Sequence, residues 1–467
     1  MSIKLSNITN KNENDLYKVV SNANVMKYVG DRKVWNKKKI KKFIQYTIQE
    51  RKNNVKDILY CKITNSKNSF VGIVGIHKYN NEKEHSVTIY LNTKFQGKGY
   101  GTKALNQIID KFHKKNPKIR YIYFKTLSYN YGAQKLAHKA GFTWDNNFNF
   151  SGERYIQYVY DTKYHNVLKL EYPYLSNFIT KRTLTKNFNE LKKYKAEIKN
   201  GSNKKFKDNM KIIVNFDKER NMNRITDYFT DFCRVKCLFK GYKLTPLQYY
   251  KGNKGYIINK SIVNNKFNTD KFESVMYNLK DTKLCNNFQP TLALTIYKLF
   301  KATKILDSSA GWGDRLVAAI AGGMAYTGVD PSKCLKPLYK KIIKELAPKK
   351  NIKKYEIINK PFEDAKITGE YDLCFTSPPF FDVEKYENNN NQSISRYMEI
   401  DEWVRDFLIP LAEKNIKHLK KGGHFVIYVP DYFQFIDFMK KYKKVKYLGV
   451  MSFLTPKKRD IYVWKKL

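Results

Sequence analysis

Between Lys304 and Ala321 the chain passes from a short apolar run into Asp307-Ser308-Ser309-Ala310-Gly311-Trp312-Gly313-Asp314-Arg315, and then into apolar positions from Leu316 onward. That pattern predicts a buried strand, a glycine turn and a helix. Ala325 to Asp330 reads as a second strand ending in an acid, and Tyr355 to Ile358 as a third. A fourth begins at Asp372 and runs into Ser377-Pro378-Pro379-Phe380-Phe381; further strands are predicted at His424 to Val429, Lys444 to Val450 and Asp460 to Trp464. Such an alternation predicts an open α/β sheet, which binds ligands in the loops at the C-terminal ends of its strands.

The N-terminal third has its own pattern. Ser86 to Asn92 alternates as a strand, and Phe95-Gln96-Gly97-Lys98-Gly99-Tyr100-Gly101 turns directly into a helix with Ala104, Leu105, Ile108, Ile109 and Phe112 on one face. A strand at Arg120 to Leu127 follows, then a helix after Asn130 that stops at Gly141. Three regions result: a mixed α/β domain at 1–165, an α-rich middle region at 166–282, and a doubly wound α/β domain at 283–467. In the middle, a basic helix-like stretch from Lys186 to Lys199 is interrupted by Asn200-Gly201-Ser202-Asn203, and Arg224 to Phe232 has helical apolar spacing. Aromatics and lysines interleave there, as in Tyr249-Tyr250-Lys251, which suits base stacking and phosphate contact. The middle region is read either as a target-recognition element or as a plain connector.

Charge changes this picture more than length does. Lys and Arg number 89 against 42 acids in 467 residues, a formal net charge of +47. A field of that size favours polyanions, and nucleic acid, DNA or RNA, is the expected partner. Neither a long apolar run nor a signal pattern is present, so a soluble, cytoplasmic protein is expected, with no membrane partner. This lysine- and asparagine-rich style resembles proteins of large DNA viruses, which adds viral factory or virion to the expected locations. Six scattered cysteines, with Cys233 and Cys237 lacking a matching pair, predict reduced thiols and no zinc.

The candidate chemistry lies in the loops. A nucleobase amino group is a poor nucleophile because its lone pair is delocalised into the ring. The Ser377 hydroxyl and the Pro378 carbonyl can grip both amino hydrogens, and Phe380 can stack on the base. Asp330 stands where a carboxylate commonly meets ribose hydroxyls, and Asp364 or Glu363 where one can meet an adenine amino group. At the other end, the backbone N–H groups of Gln96 to Gly101 make an anion site at a helix N-terminus. Glu84, His85 and His77 are candidate bases there. Asn388 to Gln392, directly after the tetrapeptide loop, is a polar segment able to close over substrate.

On these motifs, residues from about 280 to 467 resemble the class I S-adenosylmethionine-dependent methyltransferases that modify amino groups of adenine or cytosine in nucleic acid. The resemblance implies a seven-stranded Rossmann-like fold. It also implies that Asp307, Ala310, Gly311 and Gly313 cradle the methionine part of the cofactor, with Asp330 on its ribose, Asp364 near its adenine, and Asn287-Phe288 in a contacting segment. It puts Ser377, Pro378 and Phe380 in the catalytic tetrapeptide. Residues 1–165 resemble the GNAT acetyltransferases. There Gln96, Gly97, Lys98, Gly99, Tyr100 and Gly101 fall on the acetyl-CoA loop and Asn130 on a second cofactor contact, while Ala137 stands where many members carry a tyrosine acid. The resemblances together imply a bifunctional enzyme with an unspecified amine or protein as acetyl acceptor. Two other readings are an acetyltransferase whose second fold only docks nucleic acid, and a basic packaging or scaffold protein with relic sites.

Overall fold

The first third holds seven strands, of which the fourth and fifth are the two read from the sequence: β1 (Ile3–Asn7), β2 (Leu59–Asn65), β3 (Phe70–His77), β4 (His85–Leu91), β5 (Tyr121–Leu127), β6 (Thr143–Phe150) and β7 (Glu153–Asp161). In this computed structural model, which describes residues 2–29, 32–78, 84–199, 210–213, 216–387, 391–453 and 460–467, they form one sheet in the order β1-β2-β3-β4-β5-β7-β6. All neighbours are antiparallel except β4 and β5, which pair in parallel only at His85↔Ile122 and Ser86↔Tyr123. Past Ser86 the two strands part, so the sheet opens as a wedge between their C-terminal ends. Helix Tyr100–Lys115 buries Ala104, Leu105, Ile108, Ile109 and Phe112, the apolar face predicted from spacing. Helix Tyr131–Ala140 ends at Gly141 with φ 99°, the left-handed stop expected of that glycine.

The chain divides into two compact units, Met1–Pro173 with Gln248–Asn278, and Tyr174–Leu247 with Leu279–Leu467. The middle region, 166–282, is thus shared between them. Its part in the first unit holds a two-stranded hairpin, β11 (Ile262–Val263) with β12 (Lys266–Phe267). Gly255 is needed there, because a Cβ on it would lie 2.5 Å from the carbonyl oxygens of Gly141 and Phe142.

The second unit is built on a larger sheet. Its strands are β8 (Glu197–Lys199), β9 (Met210–Ile213), β13 (Lys304–Asp307), β14 (Ala325–Val329), β15 (Tyr355–Ile358), β16 (Tyr371–Thr376), β18 (Leu419–Tyr428), β19 (Val445–Phe453) and β20 (Ile461–Lys466), and a separate ribbon pairs β10 (Leu238–Phe239) with β17 (Glu384–Lys385). The order is β15-β14-β13-β16-β18-β20-β19-β9-β8. Strands β13 to β16 and β18 run parallel, and β20 is antiparallel to both neighbours. Successive residues bury on opposite faces: Ile305, Leu373, Phe375, Val426 and Val463 enter one apolar cluster, and Leu306, Cys374, Phe425, Ile427 and Trp464 the other. Helices Pro290–Leu299, Asp314–Gly322 and Lys336–Leu346 pack on the first face, and Ile409–Lys417 and Phe433–Lys441 on the second.

Two expectations are corrected here. The sheet has nine strands and not seven, because β9 from the middle region pairs in parallel with β19 at Met451↔Met210 and β8 extends it further. The thiols are not all reduced: Cys233 and Cys334 form a disulfide with Cα atoms 6.0 Å apart. Packing of helix Asp227–Arg234 against helix Lys336–Leu346 brings them together across 101 residues. The other four cysteines are buried and unbonded. Among the described residues no helix is long and apolar enough to cross a membrane, and no group of three or more His, Cys, Asp or Glu side chains could hold a metal ion.

Candidate functional sites

In the first unit the wedge between β4 and β5 carries both predicted loops at its open end. The segment after β4 forms a short turn, Thr93–Phe95, and then Gln96 to Gly99, before the helix starts at Tyr100. Gly97 and Gly99 take φ of 72° and 80°, a conformation that side-chain-bearing residues rarely adopt, and no atom lies within 4 Å of the place where a Cβ would stand. The loop therefore offers bare backbone and the unsatisfied N–H groups of a helix start. Gln96 donates to the Leu91 carbonyl at 3.0 Å and fixes the loop to its strand. Tyr100 is buried against Phe95, and Lys98 is exposed. Gly101 packs close to Leu91 and Leu136. After β5, Asn130 caps the next helix by accepting from the Ala133 N–H at 3.2 Å.

The candidate bases are differently placed. Glu84 is paired with Lys125 at 2.8 Å. The ring of His85 meets Asp57 at 3.0 Å. His77 is buried and stacked on Tyr60, and burial first, then His85 and Lys125, lower its pKa to about 4, so the ring is neutral at neutral pH. Ala137 is wholly buried.

In the second unit one cavity of about 460 Å³, in the size range of ligand clefts, lies where the strand order reverses between β13 and β16. Ser377, Pro378 and Phe380 line it, with Phe380 edge-on to Tyr428 at 5.8 Å. Phe381, next in sequence, holds φ at 51°, a strained conformation for a bulky residue of the kind that functional loops retain. Asn287, Phe288, Gly311 and Asp330 line the same cavity. Asp330 accepts from the Gly311 N–H and the Ser332 N–H, both at 2.9 Å. Burial nevertheless pushes its carboxyl up to about 6.

Four nominated residues do not line this cavity. Asp307 is wholly buried, accepting from Arg315 at 2.7 Å, Tyr326 at 2.6 Å and the Ser309 N–H at 3.2 Å. It organises the turn from behind. Ala310 is buried, its N–H donated to the Val329 carbonyl. Gly313, at φ 94°, permits close packing on the next helix, since a Cβ there would stand 3.1 Å from Ile342. Asp364 is paired with Arg396 at 3.0 Å on the surface, and its neighbour Glu363 lines the cavity instead. Lys414 holds that turn by donating to the carbonyls of Phe362, Glu363 and Ala365.

Other lining residues had no role in the sequence reading. Asp314 and Arg315 stood inside the quoted motif without one. Glu387 lines the cavity, bonded to the Ser332 hydroxyl and accepting from the Cys334 N–H at 3.2 Å. Cys233, Lys236, Cys237 and Phe239 come from the middle region, and the Lys240 N–H, donated to the Val383 carbonyl at 2.9 Å, stitches that segment to the loop leaving the tetrapeptide. Of the polar segment from Asn388 to Gln392, residues 388–390 lie outside the described residues. Gln392 lines the cavity, and its Oε1 accepts from the Tyr386 N–H at 2.7 Å.

Comparison with known proteins bears on the first unit. Residues 3–143 match the family model for the acetyltransferase (GNAT) domain. The solved structures similar to this chain include a GNAT-family acetyltransferase from Bacillus anthracis, 18% identical over 34% of this chain and 95% of that one, with a TM-score of 0.30. They also include the microcin C7 self-immunity acetyltransferase MccE in complex with acetyl-CoA and AMP, 22% identical over 34% and 92%, TM-score 0.30. A third is the spermidine N-acetyltransferase from Vibrio cholerae in complex with CoA and spermine, 14% identical over 35% and 98%, TM-score 0.31. No curated protein matches the chain. The N-terminal part of the protein is a GNAT acetyltransferase domain.

Proposed function

We propose that the protein is bifunctional: an acetyl-CoA-dependent N-acetyltransferase joined to an S-adenosylmethionine-dependent methyltransferase acting on the amino group of adenine or cytosine in DNA or RNA. The observation that carries the second half is the single cavity at the sheet's switch point, which unites Asp330, the Gly311 turn and Ser377-Pro378-Pro379-Phe380. Support comes from the antiparallel β20 inserted beside β18 and from the two apolar layers that sandwich the sheet.

S-adenosylmethionine brings an electrophilic methyl group on a sulfonium. Asp330 suits its ribose because a buried carboxylate with two N–H donors keeps lone pairs for hydroxyls. Ser377 and the Pro378 carbonyl orient the amino group and draw its lone pair out of conjugation, while Phe380 provides a stacking face for a base that has left its helix or belongs to a single strand.

The Asp330 carboxylate accepts hydroxyl protons best when ionised. Its pKa near 6 is above the ordinary value, so the charged form is lost as pH falls through about 6. Affinity for S-adenosylmethionine, titrated calorimetrically from pH 8 to 5, is expected to fall as the pH drops through about 6. Asp330→Ala should lose most affinity at every pH; an unchanged affinity in that variant would remove the residue from the cofactor site, and no binding by the wild type would refute the methyl-donor reading.

For the acetyltransferase half, acetyl-CoA brings an activated thioester, and the Gln96–Gly101 loop supplies backbone N–H groups to its pyrophosphate. Gly99→Val should weaken coenzyme A binding by at least about ten-fold, since a β-branched residue at φ 80° is strained and its side chain occupies the approach. Equal affinity in wild type and variant would place coenzyme A elsewhere. An amine or a protein N-terminus is the acceptor; His77, buried and with its pKa lowered to about 4, is a poor base for it.

A further inference from the structure

Away from the cavity, the second unit carries a surface groove of about 680 Å³ between helix Lys181–Lys193 and helix Lys336–Leu346. Leu184 and Leu346 form its buried floor, and Lys181, Lys340, Lys341 and Lys344 stand on its walls. Glu345 is the one acid in the lining, and it pairs with Lys181 at 3.7 Å. Lys341 lies over the rings of Tyr228 and Phe229 at 5.8 Å, which places its ammonium without neutralising it. Lys340 and Lys344 are exposed and pair with no acid among the described residues.

This wall is basic beyond the general excess of the chain. From 336 to 354 eight lysines stand against one acid, where the whole chain has 89 cations to 42 acids. Lys340 and Lys344 are four residues apart on one face of the helix, and like charges so placed repel. Such a cluster weakens the folded chain until a polyanion enters it. Lys336, Lys340 and Lys344 climb the helix by about 6 Å per step, the order of the step between neighbouring phosphates of a strand. A compact anion meets only part of that row, whereas a strand meets all of it. The helix starts directly after Leu335, which lines the cavity, and runs back along the sheet. A polymer presenting a base at the cavity can therefore lay its backbone along this helix.

We propose that this groove binds the phosphates of a single nucleic-acid strand and holds the polymer while one of its bases occupies the cavity. The inference rests on the reading of nucleic acid as the substrate. The test is fluorescence anisotropy of labelled single-stranded DNA and RNA of several sequences, titrated at a series of salt concentrations. Lys340→Ala with Lys344→Ala should weaken binding by about ten-fold for every sequence. It should also flatten the slope of log affinity against log salt by about 1.4, since each lysine–phosphate contact on a single strand contributes about 0.7. Lys420→Ala with Lys421→Ala removes the same charge at the start of β18, three strands from β14 in the sheet, and should change affinity by less than about two-fold. Both variants alter only exposed side chains, so their far-ultraviolet dichroism should match the wild type. Equal losses in the two variants, or no loss in the first, would overturn the groove assignment and leave nucleic acid as the substrate. Binding of inorganic tripolyphosphate that the first variant abolishes, with strand binding kept, would give the groove to a compact polyphosphate instead. Failure of the wild type to bind any strand at low salt would overturn both the groove and the nucleic-acid reading.

Discussion

Replacing Ser377 by alanine is expected to lower methyl transfer by about 10²- to 10³-fold, the scale of removing one preorganised hydrogen-bonding group from a transition state. In the proposed reaction the hydroxyl acts in the step that pulls the amino nitrogen toward tetrahedral geometry, so the loss should fall on kcat. Affinity for S-adenosylmethionine should be unchanged, because the proposed nucleoside end of the cavity rests on Asp330, Gly311 and Ser332 and not on the tetrapeptide. Single-turnover rates with saturating cofactor read this directly. Equal rates in the variant and the wild type would take Ser377 out of the mechanism. A parallel loss of cofactor affinity would instead give it a binding role.

The second large effect concerns the scaffold behind the turn. Arg315 and Asp307 are 4% and 0% exposed and pair at 2.7 Å. Removing one member of a buried pair strands the other's charge, which costs about 3–5 kcal/mol. Arg315→Ala should therefore lower the unfolding free energy of the second unit by that order, read by urea denaturation. Asp307→Asn combined with Arg315→Met should lose less than Arg315→Ala alone, because no uncompensated charge remains. A loss below about 1 kcal/mol for Arg315→Ala would contradict the buried-pair account.

Residues whose role is carried by the backbone were readable from the sequence. Gly97, Gly99 and Gly141 adopt the positive φ that their positions in the pattern imply, and the strands around Ile305, Tyr326, Ile357 and Phe375 follow from short apolar runs between turn signals. Side-chain direction was not readable. Asp307 and Asp314 are both acids of one turn. Only the folded chain, in which Tyr326 from the next strand and Arg315 close on Asp307, leaves Asp314 facing a ligand-sized space. Pairings across long sequence separations were equally hidden. The Cys233–Cys334 disulfide and the addition of β9 to β19 depend on helix packing and sheet edges that no local periodicity encodes. Asp364 and Glu363 show the limit at single-residue scale: Arg396 pairs with both, at 3.0 Å and 3.6 Å, yet only Glu363 lines the cavity.

A methyl donor bound, as proposed, in the same cavity as the tetrapeptide predicts the product of a single experiment. Purified protein is incubated with methyl-labelled S-adenosylmethionine and a panel of single-stranded and duplex DNA and RNA, and the polymers are digested to nucleosides. The account predicts label on the exocyclic nitrogen of adenine or cytosine. Label confined to ring atoms or sugars, or none on any polymer while the cofactor binds, would contradict it.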